Sequence, residues 1–152
     1  MSTDAPLPPS SDPRVQRIVH AFEHLTPASV PALMALYAED ARFRDPFNDL
    51  HGPAAIERVY RHMFHTLEQP RFVVLDTLVD GDRCALTWDF HFRLRRLGPR
   101  PVCIHGLSKL HLDADGHIAV HRDYWDAAEE FWERVPLIGA LMRGLRRRAA
   151  AA

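Results

Sequence analysis

Apolar residues recur at three-to-four spacing through the first half of the chain and at alternate positions through the second. Val15, Ile18, Val19, Phe22 and Leu25 mark the buried face of a first helix, with Asp12 as its cap and Pro13 in its first position. Thr26-Pro27 ends it. Ser29 and Pro31 start a second helix by the same logic, and Leu33, Met34, Leu36 and Tyr37 carry its periodicity to about Glu39. A short strand over Arg42–Asp45 follows. It places Phe43 and Asp45 on one face, and Pro46 stops the ladder. The stretch from Asn48 to Pro53 reads as a loop turning at Gly52. Pro53 opens a third helix whose inner face is Ile56, Val59, Tyr60, Met63, Phe64 and Leu67.

Beyond Pro70 the period changes to two. Strands are predicted over Phe72–Val79, Arg83–Leu97, Val102–Leu112 and His117–Trp125, joined by turns at Asp80-Gly81-Asp82, Gly98-Pro99-Arg100-Pro101 and Asp113-Ala114-Asp115-Gly116. Leu86, Trp88, Phe90, Phe92 and Leu94 share a face that should meet the helices, while Asp89, His91 and Arg93 share the other. Val102, Ile104, Gly106, Ser108, Leu110 and Leu112 share a face of the next strand, and His121, Asp123 and Trp125 share one of the last. Three helices followed by an antiparallel meander make an α+β domain.

Composition narrows the class. The 152 residues, 47% of them hydrophobic, suit one compact domain. Nineteen basic and twenty acidic residues leave a formal charge of -1, so no overall field favours nucleic acid. Cys84 and Cys103 fall in separate predicted strands and read as thiols in a reducing compartment. No apolar run approaches the ~18 residues needed to span a bilayer, and no signal-peptide pattern opens the chain. A cytoplasmic protein is expected. Residues 1–13, with Pro6, Pro8, Pro9 and Pro13 among small polar residues, read as a disordered leader, and 14–126 as the folded domain.

The stretch Tyr37–Phe47, YAEDARFRDPF, followed by Gly52, Ile56 and Tyr60 and later by Tyr124-Trp125, resembles the SnoaL-like and ketosteroid isomerase-like branch of the nuclear transport factor 2-like superfamily. The resemblance covers roughly Val15 to Asp126. It implies a cone-shaped, curved antiparallel sheet packed on three N-terminal helices. It also turns the faces bearing Trp88, Ser108 and His121 inward, giving an aromatic cavity that contains Asp45, Ser108, His121 and Asp123. A carboxylate in such a cavity has its charged form destabilised and exchanges protons near neutral pH.

In ketosteroid isomerase an aspartate base moves the proton while a tyrosine and a protonated aspartate hold the enolate oxygen. By resemblance Asp45 takes the base position, and Tyr37 and Tyr60 match two supporting tyrosines. The oxyanion tyrosine's position falls at Phe22, or at Ala21 if no gap is allowed, and the protonated aspartate's at Ser108, so steroid isomerisation itself is not implied. Asp123 resembles the acid/base residue that SnoaL-like cyclases carry on a late strand. The implied catalytic set is Asp45, Asp123 and His121, with Tyr37, Tyr60, Phe22, Trp88, Phe90, Ser108 and Trp125 binding substrate. Isomerase, cyclase or hydrolase-type chemistry on a small apolar, polycyclic or lipid-like molecule is the expected function, with no cofactor. The alternative is a non-catalytic domain that binds a hydrophobic ligand, a protein or a membrane.

Each residue also has a plainer reading. Asp45 precedes Pro46 and is placed to accept backbone hydrogen bonds in the turn. Trp88, Phe90 and Trp125 read equally as core, and Tyr37 and Tyr60 as buried tyrosines whose hydroxyls have found partners. His20/His24 and His62/His65 are helix-spaced pairs, yet no recognised metal-ligand spacing accompanies them, and they read as solvated, with no metal expected. Residues 127–148 read as an amphipathic basic helix, with Leu137, Ile138, Leu141, Met142 and Leu145 as its apolar stripe and Arg143, Arg146, Arg147 and Arg148 at its end, before a tail at 149–152. Packing over the cavity mouth or against a partner is expected there, with membrane contact the lesser alternative. The outer face of the sheet, with Asp89, His91, Arg93, Cys103, His105, Leu107 and Lys109, is the expected homodimer surface.

Overall fold

The fold is taken from a computed structural model, which describes residues 10–94 and 101–126. Helix α1 (Pro13–Glu23) begins where Oδ1 of Asp12 accepts the Arg14 N–H at 2.9 Å. It buries Val15, Ile18 and Phe22. Ser10 and Asp12 precede it in defined positions, the Ser10 N–H donating to Oγ1 of Thr77. Residues 1–9 of the expected leader lie outside the described residues, as do 95–100 and the expected helix and tail over 127–152.

Helix α2 spans only Val30–Met34, and β1 runs from Tyr37 to Arg44. The helix expected to reach Glu39 is therefore corrected to a strand. Two pairings explain why: the Ile118 N–H donates to the Leu36 carbonyl at 2.8 Å, and Tyr37 lies in register with Ile118. Extended backbone here completes a sheet, which a further helical turn does not. The ladder is irregular between Tyr37 and Arg42, and Glu39, which strict alternation would turn inward with Tyr37, Ala41 and Phe43, is exposed.

Strand β2 (Asp49–His51), read from sequence as loop, pairs with β1, and Arg42 forms a salt bridge to Asp49 across the pair. Helix α3 (Pro53–Thr66) buries Ile56 and Tyr60. Strand β3 (Leu67–Asp80) starts five residues ahead of the expected Phe72 and runs through Pro70. Pro70 is tolerated because β3 is the sheet edge and the ladder breaks between Glu68 and Arg71, where Gln69 takes φ 52°. Strands β4 (Arg83–Leu94), β5 (Pro101–Leu112) and β6 (Ile118–Trp125) follow as antiparallel neighbours.

The six strands lie in the order β2-β1-β6-β5-β4-β3. Four of the strand pairs are antiparallel, whereas β1 and β6 are parallel, so the curved, unclosed sheet is mixed. Val15, Ile18, Val30, Leu33, Ile56, Leu86, Leu110 and Ile118 fill the core between helices and sheet. Burying a side chain of this kind contributes roughly 1.5 to 3 kcal/mol. The α+β cone expected from the sequence is the observed architecture.

Candidate active site

Between α1, α3 and the concave sheet face lies a cavity of about 460 Å³. Its walls are mostly apolar, with aromatic rings prominent among them. Phe72, Trp88 and Phe90 form one cluster, with the Phe72 and Phe90 rings stacked at 4.4 Å. Phe47 and Trp125 form another, edge to face at 5.4 Å.

Period-two alternation brings His121 and Asp123 of β6 to the same face, and register pairs Ser108 with Asp123. The result is one connected polar chain in apolar surroundings. Ser108 donates to Oδ1 of Asp123 at 2.5 Å, and Nε2 of His121 lies 2.7 Å from the same oxygen. Nδ1 of His121 lies 2.7 Å from the Tyr37 hydroxyl, which is 3.2 Å from that of Tyr60. The Trp88 indole N–H donates to Oγ of Ser108 at 2.8 Å. With His121 protonated on Nε2, every donor meets an acceptor: Tyr60 to Tyr37, Tyr37 to Nδ1, and Nε2–H to Asp123.

Burial sets the character of this chain. His121 is 2% exposed, and no buried side-chain polar atom among the described residues lacks a partner. Burial also pushes the Tyr37 and Tyr60 phenols well above their ordinary range, so both remain donors at neutral pH. Asp123 differs at its second oxygen. Among the described residues Oδ2 accepts no hydrogen bond, while Asp123 itself lines the cavity. The Trp125 indole N–H, on the same strand and cavity wall, likewise has no hydrogen-bond partner among the described residues.

Asp45 is held otherwise. Its Oδ1 accepts the backbone N–H groups of Phe47 and Asn48 at 2.7 and 2.6 Å, and the Asn48 side-chain amide donates to both carboxylate oxygens. This is an Asx-type turn, the plainer of the two readings of Asp-Pro. Asp45 nevertheless reaches the cavity wall, and with Asp123 and Trp125 it also borders a shallower, more open depression.

Of the residues read from sequence, Asp45, Asp123, His121, Tyr60, Phe22, Trp88, Phe90, Ser108 and Trp125 all line the cavity. Tyr37 stands behind the wall, bonded to His121. Phe22 packs edge-on against His121 at 5.7 Å, where it offers no hydroxyl. Sequence reasoning missed Asn48 as the partner of Asp45 and His62 as a rim residue. The Asp-Pro-x-Asn spacing was a usable signal for the first. Helical periodicity carried none for the second, because an exposed rim position looks like any solvated one.

The sequence from residue 15 to residue 121 matches the model of the SnoaL-like domain family. The chain belongs to that family. No curated protein matches it. A Catenulispora acidiphila protein with a ketosteroid isomerase-like fold, solved in complex with trimethylamine, is similar to this SnoaL-like domain with a TM-score of 0.68 at 16% identity, over 80% of this chain and 91% of that one. An epoxide hydrolase of the LEH-like type from M. tuberculosis aligns with a TM-score of 0.62 at 20% identity, over 87% and 89% of the two chains. An NTF2-like protein of unknown function from Burkholderia pseudomallei aligns with a TM-score of 0.66 at 18% identity, over 76% and 90%. At these identities the likeness establishes the fold of the SnoaL-like domain and leaves its reaction to its own side chains.

Proposed function

We propose that this SnoaL-like domain binds a small apolar carbonyl compound, polycyclic or lipid-like, and moves a proton on it with Asp123 as the base. The observation that carries this reading is the asymmetry of Asp123, whose Oδ1 is anchored by Ser108 and His121 while Oδ2 has no partner among the described residues. Oδ2 takes a proton from a carbon beside the carbonyl, the C–H electron pair becomes the new carbon–carbon double bond, and the carbonyl π pair moves onto oxygen. The Trp125 N–H is the donor left to meet that oxygen. Returning the proton to another carbon is isomerisation; attack of the enolate carbon on a second carbonyl is cyclisation. His121 and Ser108 keep the carboxylate oriented, and the aromatic walls exclude water.

A second reading has specific support. Both oxygens of Asp45 are engaged in its turn, and Phe22, the position that the resemblance gives to the oxyanion phenol, packs on His121 and offers no hydroxyl, which suits a cavity that holds a hydrophobic ligand without transforming it. Pairing of two copies through the outer sheet face belongs to either reading, and light scattering of the purified protein tests it. No helix among the described residues is long and apolar enough to cross a membrane.

The deciding experiment is native mass spectrometry of freshly purified protein with identification of any retained molecule. It is followed by deuterium incorporation into a panel of apolar ketones in D2O. Exchange by wild type and by Asp45→Asn but not by Asp123→Asn supports the catalytic reading. A retained ligand with no exchange by wild type supports the binding domain instead.

A further inference from the structure

The face of β4 and β5 turned away from the cavity carries a second chemical constellation. Asp89 lies in register with His105, and His91 with Cys103. Each strand thus presents two potential ligands two residues apart, which share a face. Their neighbours Phe90 and Ile104 line the cavity, so these four side chains stand on the opposite side of the sheet. One carboxylate oxygen of Asp89, Sγ of Cys103 and one imidazole nitrogen of His105 lie within 4.8 Å of one another. Oδ1 of Asp89 is 2.5 Å from Nδ1 of His105, so the two already converge on one point.

We propose that Asp89, Cys103 and His105, with His91 as the fourth ligand, form a binding site for a zinc-type divalent ion on the outer sheet face. The donor set is thiolate, imidazole and carboxylate, the combination that selects zinc over magnesium or calcium. A carboxylate and a thiolate together neutralise a divalent charge. In a tetrahedral site with Zn–S near 2.3 Å and Zn–N near 2.0 Å, ligand atoms sit about 3.2 to 3.8 Å apart. Three donors within 4.8 Å approach that spacing by side-chain rotation alone. The ion then takes the place of the Asp89–His105 hydrogen bond, the imidazole proton being carried on Nε2 while Nδ1 ligates, and binding releases the thiol proton of Cys103. His91, directly across the ladder from Cys103, closes the fourth position by a rotamer change.

The backbone favours such a site. Both strands are fully paired to each other, so four ligands stand on a rigid scaffold. The His105 side chain is 70% exposed in the single chain, which gives the ion an entry path before two copies pair through this face. The other cluster of acidic and histidine groups, around Asp113, is a weaker candidate because Oδ1 of Asp113 already caps its turn by accepting the Asp115 and His117 N–H groups.

The test is a cobalt(II) titration of the reduced, chelator-treated full-length protein, with zinc competition. The expected result is one equivalent bound, a near-ultraviolet thiolate-to-cobalt charge-transfer band, visible bands of tetrahedral intensity, and displacement by zinc. Cys103→Ser abolishes the charge-transfer band and weakens zinc binding by about 100-fold or more, whereas Cys84→Ser keeps both. His91→Gln keeps the band and weakens binding about tenfold. Should Cys103→Ser lose its fold by circular dichroism, His105→Gln replaces it, with the band retained and zinc affinity again reduced about 100-fold. Absence of a thiolate band in the wild type overturns the site. So does zinc affinity unchanged in Cys103→Ser or His105→Gln, which assigns the binding to scattered surface histidines.

Discussion

The Tyr37 hydroxyl lies 2.7 Å from Nδ1 of His121, although 84 residues separate them in the chain. Both are buried, so the contact fixes the imidazole tautomer that presents Nε2–H to Asp123. A residue outside the cavity wall thereby sets the state of one on it.

Tyr37→Phe tests that coupling. It leaves Nδ1 of His121 and the Tyr60 hydroxyl without their partner in a buried setting, which costs about 1 to 3 kcal/mol. Urea denaturation measures the loss. Any proton-exchange activity falls with it, because the imidazole that orients Asp123 is no longer held in one tautomer.

Gly106 marks a packing limit. It lies in register with Trp88 on β4, and a Cβ at Gly106 would overlap the indole ring of Trp88. Gly106→Ala therefore displaces the indole from Oγ of Ser108 and destabilises the protein by about 1 to 3 kcal/mol. A shift in tryptophan fluorescence together with a lowered melting temperature is the expected signature, and an unchanged spectrum contradicts it.

Alkaline pH destabilises the fold through the buried phenols. Tyr37 and Tyr60 have folded values raised by burial above the ordinary 10.0, so the folded state holds their protons more tightly than the unfolded chain does. Stability is therefore complete below pH 10 and falls as the pH rises beyond it. Phenolate absorbance from these two side chains should appear together with loss of circular dichroism, and Tyr60→Phe should reduce its amplitude.

Acid acts at the opposite end of the fold. The side chain and N–H of Arg14 hold Asp12 down at about 2, below its ordinary 3.8. Because the folded value is the lower one, the stabilisation is present above about pH 4 and is lost as the pH falls towards 2. Melting temperatures compared at pH 5 and pH 2.5 should differ less in Asp12→Asn than in wild type.

Asp123→Asn separates chemistry from architecture. The variant keeps an oxygen to accept from Ser108 or His121 but has no carboxylate to take a proton, so proton exchange is lost while the melting temperature changes by only a few degrees. Equal exchange in wild type and variant, measured by mass spectrometry in D2O, removes Asp123 from the reaction.

Local patterns in the sequence determined much of this protein. The cap at Asp12, the prolines opening helices and the Asp-x-Gly turns are short-range devices, and strand alternation alone puts His121, Asp123 and Trp125 on one face. The family motif added which face is concave. Only the tertiary structure decided that Tyr37–Arg44 is a strand, because its partner β6 lies some 80 residues away and the apolar spacing of Leu33, Met34, Leu36 and Tyr37 runs on from α2 in a helical period. It also decided how the two carboxylates differ. Asp45 and Asp123 both read from the sequence as cavity carboxylates, yet hydrogen bonds from Phe47 and Asn48 occupy the first, whereas Ser108 and His121 bind one oxygen of the second and, among the described residues, leave the other open. Which lone pairs are engaged depends on partners that only folding brings within 3 Å, and periodicity carries no record of them.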